Sequence, residues 1–264
     1  MFPGFTQEAL IFLSDIRFNN NQTFYEQNKE RYEKHVKAPL RLLSDEMTPV
    51  VQLIDARLDT RPGRTMSRIR RDTRFTKDKS PFRDNVWLGW RYTGESRSEG
   101  FGMWWGFGPD WLSWGCGCYA TDKPLMDARR LEIRRNPEAV REAFAVSRIR
   151  EAFEIYGESY KKIAVPDDVP DDLRFLYVKK GFGIEHNGTP AEWKALHTHE
   201  TADILARDLA AMAPLHQLMQ RMRVQADYAQ AQQVKEREAQ QREAAKRADV
   251  PTKITVRSTE DFEF

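Results

Sequence analysis

The segment from Phe101 to Tyr119 constrains the fold of this chain most, because large and small side chains alternate along it. Its first half has glycine at most positions between aromatic or methionine side chains. Gly108-Pro109-Asp110 then predicts a turn, and the alternation resumes from Trp111. The pattern predicts an antiparallel hairpin in which the glycines leave room for a neighbouring backbone or a large ring.

Tryptophans are concentrated in and before this hairpin, from Trp87 to Trp114. Successive strand residues point to opposite faces of a sheet, so Trp104 and Trp105 belong to different faces. Aromatic rows on strands most often pack in a core. We therefore expect one face to form the core and the other to be an aromatic platform, unless a helix packs on it.

Helical periodicity flanks the strands on both sides. Leu10, Leu13 and Ile16 recur at helical spacing before them, and Pro137 begins a helical pattern after them. Strand-like patterns are predicted at Asn85–Tyr92, Leu173–Lys179 and Lys194–Thr201. Helices, then strands, then helices predict an α+β fold, with a central antiparallel sheet packed by N- and C-terminal helices.

The C-terminal part of the chain differs in composition. A final helix begins near Ala202 and continues through Pro214 toward Asp249, but apolar residues are nearly absent after Gln225. Such a stretch forms a helix in solvent only where charged pairs such as Glu238–Arg242 support it. We therefore predict a single α+β domain over residues 1–224, a polar exposed helix over 225–249 and a flexible tail over 250–264.

Composition narrows the class of protein. With 40% apolar and 31% charged residues, the chain is too apolar for a disordered protein and too charged for a membrane protein. No apolar run approaches the ~18 residues of a spanning helix, and the first residues lack the pattern of a secretory signal. Two cysteines suit a reducing compartment. We expect a cytoplasmic protein with no membrane partner.

The segment Arg68–Arg83 has the greatest potential for chemistry. It contains seven Lys or Arg and two Asp, a local charge of +5 in a chain whose net charge is +2. Arginine binds phosphate and carboxylate bidentately, turn backbone donors bind anions, and phenylalanine stacks on bases. We predict a site for an anionic, phosphorylated ligand or a nucleic acid. Its candidate residues are Asn20, Arg68, Arg71, Asp72, Arg74, Phe75, Lys77, Asp78, Lys79 and Arg83.

Two interpretations of this segment stay open. In the first, its lysines and arginines supply charge to a ligand, its aspartates orient them, and Asn20 completes a polar wall. In the second, Asp72 and Asp78 pair with the arginines, and the network only pins the loop to the sheet. Because the net charge of the whole chain is small, either interpretation depends on this local concentration of charge.

Cys116-Gly-Cys118 and His197-Thr-His199 are pairs at i and i+2. On two neighbouring strands they would offer a tetrahedral Cys₂His₂ zinc set. Zinc fingers usually separate their cysteines by more residues, and the alternative is buried cysteines with histidines at a sheet edge. We expect no cofactor, with zinc at these residues or magnesium at acidic residues as the alternatives.

Two other functions stay open. Asp72 or Asp78 could hold a metal ion for phosphoester hydrolysis, with Asp84 and either His35 or His186, the latter in a predicted loop, as further acid and base groups. No serine-nucleophile, phosphate-loop or zinc-protease motif is found in the sequence. Alternatively, a protein partner could dock on residues 225–264, although that stretch lacks the apolar heptads of a coiled coil.

Two stretches resemble motifs of a known family. Asn19–Tyr32 is similar to the opening motif of the DUF2461 family, and Arg71–Phe82 to its central signature. The glycine-rich hairpin continues the resemblance, followed in order by Pro124-Leu125, Arg129-Arg130 and Ile133, over about residues 1–215. Phe24-Tyr25 departs from the family's usual Trp-Phe, and Val178–Phe182 from its proline-rich basic turn. The resemblance implies a single domain and no particular activity.

Overall fold

The N-terminal quarter of the chain is a set of helices. The computed structural model describes residues 1–74, 76–94, 100–118 and 123–248, with side chains to 244. The first helices are α1 (Gln7–Phe18), α2 (Gln22–Gln27), α3 (Lys29–Tyr32), a π-helical turn (Glu33–Lys37), α4 (Ala38–Ile54) and α5 (Pro62–Thr65). The asparagine run ends α1, and the Asn21 side chain caps α2 by accepting a hydrogen bond of 2.9 Å from the Phe24 N–H.

Within the described residues, five strands form one antiparallel sheet in the order β1-β2-β3-β5-β4. They are β1 (Val86–Trp90), β2 (Gly102–Phe107), β3 (Leu112–Gly117), β4 (Glu154–Tyr156) and β5 (Gly183–Asn187). The predicted hairpin is β2–β3, and the strand pattern over Asn85–Tyr92 corresponds to β1, so both predictions are confirmed. The predicted end of the hairpin, Tyr119, lies outside the described residues.

The inner face of the sheet forms the core. Leu88, Trp90, Trp105, Phe107 and Trp114 are all buried on it. The ring of Phe5 packs on this face, 5.8 Å from the ring of Trp105 and 4.7 Å from that of Phe107. The outer face carries Trp87, Trp104 and Trp111, whose side chains are only half-buried. The two faces of the hairpin therefore differ as the alternation predicted.

The C-terminal helices close the core. They are α6 (Lys123–Arg135), α7 (Pro137–Phe144), α8 (Ser147–Ala152), a 3₁₀ turn (Asp171–Leu173), α9 (Arg174–Tyr177), α10 (Pro190–Ala195) and α11 (Glu200–Ala248). Helix α11 has 49 residues and spans about 70 Å. Its buried apolar stripe ends at Ala226, whereas Tyr228 and Val234 are exposed. The final helix is thus confirmed as one continuous helix, and its polar end is exposed as predicted, while the predicted tail over 250–264 lies outside the described residues.

The two short strands predicted at Leu173–Lys179 and Lys194–Thr201 are wrong. The first segment is helical, because Leu173, Leu176 and Tyr177 bury a face with spacings of three and four residues. The second contains the end of α10 and a turn. A capping box begins α10, in which the Thr189 hydroxyl and the Glu192 carboxylate each accept the other's backbone N–H.

The chain thus folds as a single α+β domain. None of the helices in the described part of the chain combines the length and apolarity that crossing a membrane requires.

Candidate functional site

The basic segment Arg68–Arg83 is a hairpin anchored to the sheet and the first helices. Arg70 and Phe82 form a β-bridge, and the Arg83 N–H donates to the Ile69 carbonyl at 2.8 Å. The ring of Phe82 is buried and stacks on that of Tyr25 at 4.5 Å. The Arg70 guanidinium lies 5.2 Å from the Phe82 ring. The base of the hairpin is therefore fixed by packing.

Asn20 clamps the backbone of this hairpin. Its side-chain oxygen accepts the Phe82 N–H at 2.9 Å, and its side-chain amide donates to the Phe82 carbonyl at 3.0 Å. Both ends of the amide are therefore engaged with main chain. Asn20 lies beside the basic segment as predicted, and the observed contact is one that positions the loop.

The tip of the hairpin is crossed by ion pairs. Arg74 donates bidentately to Asp72, at 2.9 and 2.7 Å, and Arg71 pairs with Asp78. The Lys79 ammonium donates to the Thr73 carbonyl at 2.8 Å. These contacts are the ones expected if the Arg–Asp network pins the loop to the sheet. Ligand binding by the tip stays a prediction. Phe75 lies outside the described residues, and Lys77 is exposed.

Both tip carboxylates are held ionised. Hydrogen bonds from Arg74 lower the pKa of Asp72 to about 2. Hydrogen bonds from Ser80, and then from Arg71, lower the pKa of Asp78 to about 2. Since both acids are charged at neutral pH, they offset two of the arginine charges in the segment.

Arg68 faces a separate groove of about 440 Å³. Arg70, Lys37 and Arg41 line the same groove, together with Glu33, which pairs with Lys37 at 2.8 Å. The groove adjoins the π-helical turn, a local irregularity that often occurs at functional sites. The basic segment thus contributes cations to more than one surface.

Arg83 lines an aromatic cleft on the outer face of the sheet. Its guanidinium lies 4.6 Å over the ring of Trp87. The cleft has a volume of about 370 Å³. Its side-chain walls are formed by Arg83, Asn85, Trp87, Arg91, Trp104, Trp111 and Tyr156. The described lining residues include two arginines and no Asp or Glu.

Glycines allow the aromatic rings to lie flat against the sheet. A Cβ at Gly117 would lie 2.6 Å from the Gly183 Cα and closer still to the Tyr156 hydroxyl. A Cβ at Gly108 would lie 2.6 Å from the Trp111 indole nitrogen. The prediction that these glycines make room for large rings is confirmed, and the rings they admit form walls of the cleft.

This cleft places side chains of the kind that stack on planar rings next to side chains of the kind that bind acidic groups. Indole faces bind flat rings, and arginine binds oxyanions through parallel N–H donors. The alternation placed Trp104 and Trp105 on opposite faces and predicted a possible platform on one of them. It assigned neither Trp87 nor Trp111 to that platform, and Arg91 and Tyr156 were missed. Arg91 could have been predicted, because it continues the alternation of outward-facing residues along β1. Tyr156 could not, because it lies on a strand of only three residues, which is too short to show an alternating pattern.

A comparison of the sequence with models of known families gives one match that covers most of the chain. The family model DUF2461, described as a conserved hypothetical protein, matches residues 8–218. The chain belongs to the DUF2461 family. The matched region contains the sheet, the basic hairpin and every described residue that lines the cleft. None of the curated proteins matches the chain.

The proposed zinc ligands of this DUF2461 protein lie in different settings. Cys116 and Cys118 are buried, and burial raises the pKa of the Cys116 thiol. His197 and His199 follow α10 on a turn rather than a strand, and their Nδ1–H groups donate to the Phe5 and Phe2 carbonyls at 2.8 and 2.9 Å. No group of three or more His, Cys, Asp or Glu that could hold a metal occurs in the described part of the chain.

The acid and base candidates of this DUF2461 protein are likewise separated. Asp84 pairs with Arg17 at 2.5 Å, and His35 contacts the Thr6 hydroxyl at 3.0 Å. His186 lies on β5 rather than in a loop, buried between the Ala152 carbonyl and Glu192 at 2.6 and 2.7 Å. Asp72 and Asp78 hold arginines, so no observed arrangement among the described residues favours a metal-assisted hydrolase.

Proposed function

We propose that this protein binds an anionic ligand containing a planar ring in the cleft between Arg83, Arg91 and the three outer tryptophans. The observation that carries the proposal is the placement of Arg83 over Trp87 at the edge of an indole-walled cleft of about 370 Å³. This volume falls within the range of ~300–1,000 Å³ typical of small-molecule sites. The proposal includes a cytoplasmic location of the protein, where it would meet this ligand.

The two parts of such a ligand would be recognised by different forces. Stacking of a base on an aromatic side chain contributes about 1–3 kcal/mol, and it tolerates any flat ring. Hydrogen bonds to a charged group contribute about 1.5–3 kcal/mol each. An acid without a ring, or a ring without an acid, would therefore bind much more weakly than a molecule that has both.

A phosphorylated small molecule and a single-stranded nucleic acid share this chemistry. The cationic groove lined by Arg68, Arg70, Lys37 and Arg41 supports the longer ligand, because a polyanion needs positive charge beyond the first base. For a nucleic acid, the logarithm of affinity falls with the logarithm of salt concentration, with a slope near ~0.7 per phosphate contacted on single strands. An affinity that does not change with salt concentration would favour a phosphorylated small molecule over a nucleic acid.

The test is a thermal-shift screen of the full chain against nucleoside monophosphates, aromatic carboxylates, sugar phosphates and short DNA and RNA. A ligand at ~100 times its dissociation constant raises the melting temperature by roughly 2–4 °C at this chain length. We expect ring-containing anions to give this shift and Trp104→Ala to abolish it. Equal shifts with sugar phosphates would contradict recognition of a ring.

A second candidate function is a protein interaction through the exposed end of α11. Val224, Tyr228 and Val234 are large apolar side chains on it that are 61%, 67% and 47% exposed. The test is a truncation after Met222, which removes all three side chains, compared with the full chain by light scattering and partner capture. Unchanged oligomeric state and unchanged capture of partners would remove this candidate.

A further inference from the structure

Arg129 on α6 is a buried arginine whose hydrogen-bonding capacity is mostly unused. Its side chain is among the largest that are fully buried, and the residue is 1% exposed. One terminal nitrogen donates to the Lys179 carbonyl, and the guanidinium lies 5.4 Å from the Phe182 ring. The Nε and the other terminal nitrogen are shielded from solvent and have no hydrogen-bond acceptor in the described structure.

The neighbouring Arg130 reaches the same turn of the chain. Its Nε donates to the Tyr177 carbonyl at 3.2 Å, two residues before the carbonyl that Arg129 contacts. Its Nη2 is also shielded and without an acceptor among the described residues. The Tyr160 ring lies 5.4 Å from the Arg130 guanidinium and 5.6 Å from the Lys180 ammonium.

This arrangement is costly unless an anion completes it. Each buried donor left without an acceptor costs about 1–3 kcal/mol, and more when it is charged. Burial, and then repulsion by Arg130, lowers the pKa of Arg129 to about 10, so it remains charged at neutral pH. The carboxylate nearest to the pair among the described residues is Asp127, 3.9 Å from Arg130 and beyond hydrogen-bond distance.

We infer that Arg129 and Arg130 together bind a compact oxyanion of the phosphate or sulfate class at the turn Tyr177–Lys180. One free N–H group of each arginine would donate to its oxygens, which replaces a missing acceptor on each side and places a negative charge between the two positive charges. The Tyr160 ring lies between Arg130 and solvent at 39% exposure, and a rotation of this side chain would open the path by which the anion enters. This site is independent of the aromatic cleft, since the two share no lining residue.

The experiment is thermal unfolding in increasing inorganic phosphate, sulfate or acetate, at constant ionic strength set with chloride. The variants are Arg129→Met, which keeps an unbranched side chain without charge, and Arg83→Gln in the cleft. We expect a saturating rise of roughly 2–4 °C with phosphate and sulfate in the parent and in Arg83→Gln, and none in Arg129→Met. Exclusion of these salts from protein surfaces stabilises every variant alike, without saturation.

Equal, non-saturating curves in the parent and in Arg129→Met would overturn the inference. A saturating response to acetate alone would also overturn it, because a carboxylate would then be the natural acceptor. If Arg129→Met does not fold, calorimetry of the parent with phosphate decides the matter. A saturable heat whose dissociation constant rises at least tenfold in Arg130→Met supports the site. The absence of a saturable heat up to 10 mM phosphate contradicts it.

Discussion

The guanidinium of Arg83 lies 4.6 Å over the indole of Trp87, and both side chains line one cleft. Arg83 is the last cation of the basic segment, and Trp87 is the outward-facing aromatic residue of β1. The contact therefore joins the two sequence features that suggested function, a concentration of charge and an alternation of aromatic residues. It fixes the guanidinium at the cleft wall and limits the entropy lost when a ligand binds.

Replacing Arg83 by glutamine should weaken binding of a ring-containing anion about tenfold to a hundredfold. The physical reason is the loss of one charge-assisted hydrogen-bond donor pair, which contributes about 1.5–3 kcal/mol. Isothermal titration calorimetry measures the change. Arg74→Gln is the matched control, because Arg74 is exposed and pairs with Asp72 at the hairpin tip. An equal loss in Arg74→Gln would place the site at the tip instead.

Replacing Gly117 by alanine should lower the free energy of unfolding by about 1–3 kcal/mol. The added methyl group would overlap the Gly183 backbone and the Tyr156 hydroxyl, so the strands or the ring must shift. Urea denaturation measures the change. Gly63→Ala is the control, since a methyl group there meets no atom within 4 Å. If both variants were as stable as the parent, the flat packing of Tyr156 on the sheet would be wrong.

Replacing Asn20 by alanine should destabilise the protein by about 1–3 kcal/mol, because the buried Phe82 N–H and carbonyl would both lose their partners. Asn20→Asp keeps the acceptor and loses the donor, so its destabilisation should be intermediate. Chemical denaturation of the three proteins tests the order. A neutral effect of Asn20→Ala would show that water replaces both hydrogen bonds.

Stability should fall between pH 7 and pH 5 because of His216, which is fully buried on α11 near Asp55, Arg57 and Tyr92. Burial lowers the pKa of His216 to about 4, which outweighs attraction by Asp55. The unfolded chain binds the proton near pH 6.5, so protonation favours unfolding as the pH falls. The loss at pH 5 is about 2 kcal/mol, by linkage of proton binding to unfolding.

Denaturation of the parent and of His216→Phe at both pH values checks this prediction. The variant should lose the part of the pH dependence that belongs to His216, since phenylalanine cannot bind a proton. A slope that is identical in the two proteins would contradict the prediction, because it would mean that the pKa of His216 is the same in the folded and the unfolded chain.

The alternation of Phe101–Trp114 was sufficient to predict β2, β3 and the space for rings above their glycines. This prediction was correct because side chains that alternate every second residue lie on the two opposite faces of a strand. The short strands β4 and β5 could not be predicted, since Glu154–Tyr156 and Gly183–Asn187 are strands only through their pairing with β3 and with each other. Such pairing depends on tertiary contacts that a local pattern does not contain.

The candidate site was predicted in part. Charge density identified Arg83, but it gave equal weight to Arg71 and Arg74, whose partners Asp78 and Asp72 are fixed by the folded hairpin. Arg129 carried no sequence signal of burial, because an arginine in a helix is normally exposed. Its environment arises where α6 meets the turn before β5, about fifty residues away in the chain.

Calorimetric titration of the parent and of Trp104→Ala with a nucleoside monophosphate, the same nucleoside and inorganic phosphate tests the central claim most directly. The titrations are repeated for each of the common bases. The proposal predicts that a monophosphate binds at least tenfold more tightly than either of its parts, and that Trp104→Ala removes this advantage. Both proteins carry Arg130→Met, so that the arginine pair on α6 does not contribute to phosphate binding. Binding of phosphate alone as tight as that of every nucleotide, or an unchanged affinity in Trp104→Ala, would then contradict the aromatic cleft as the binding site.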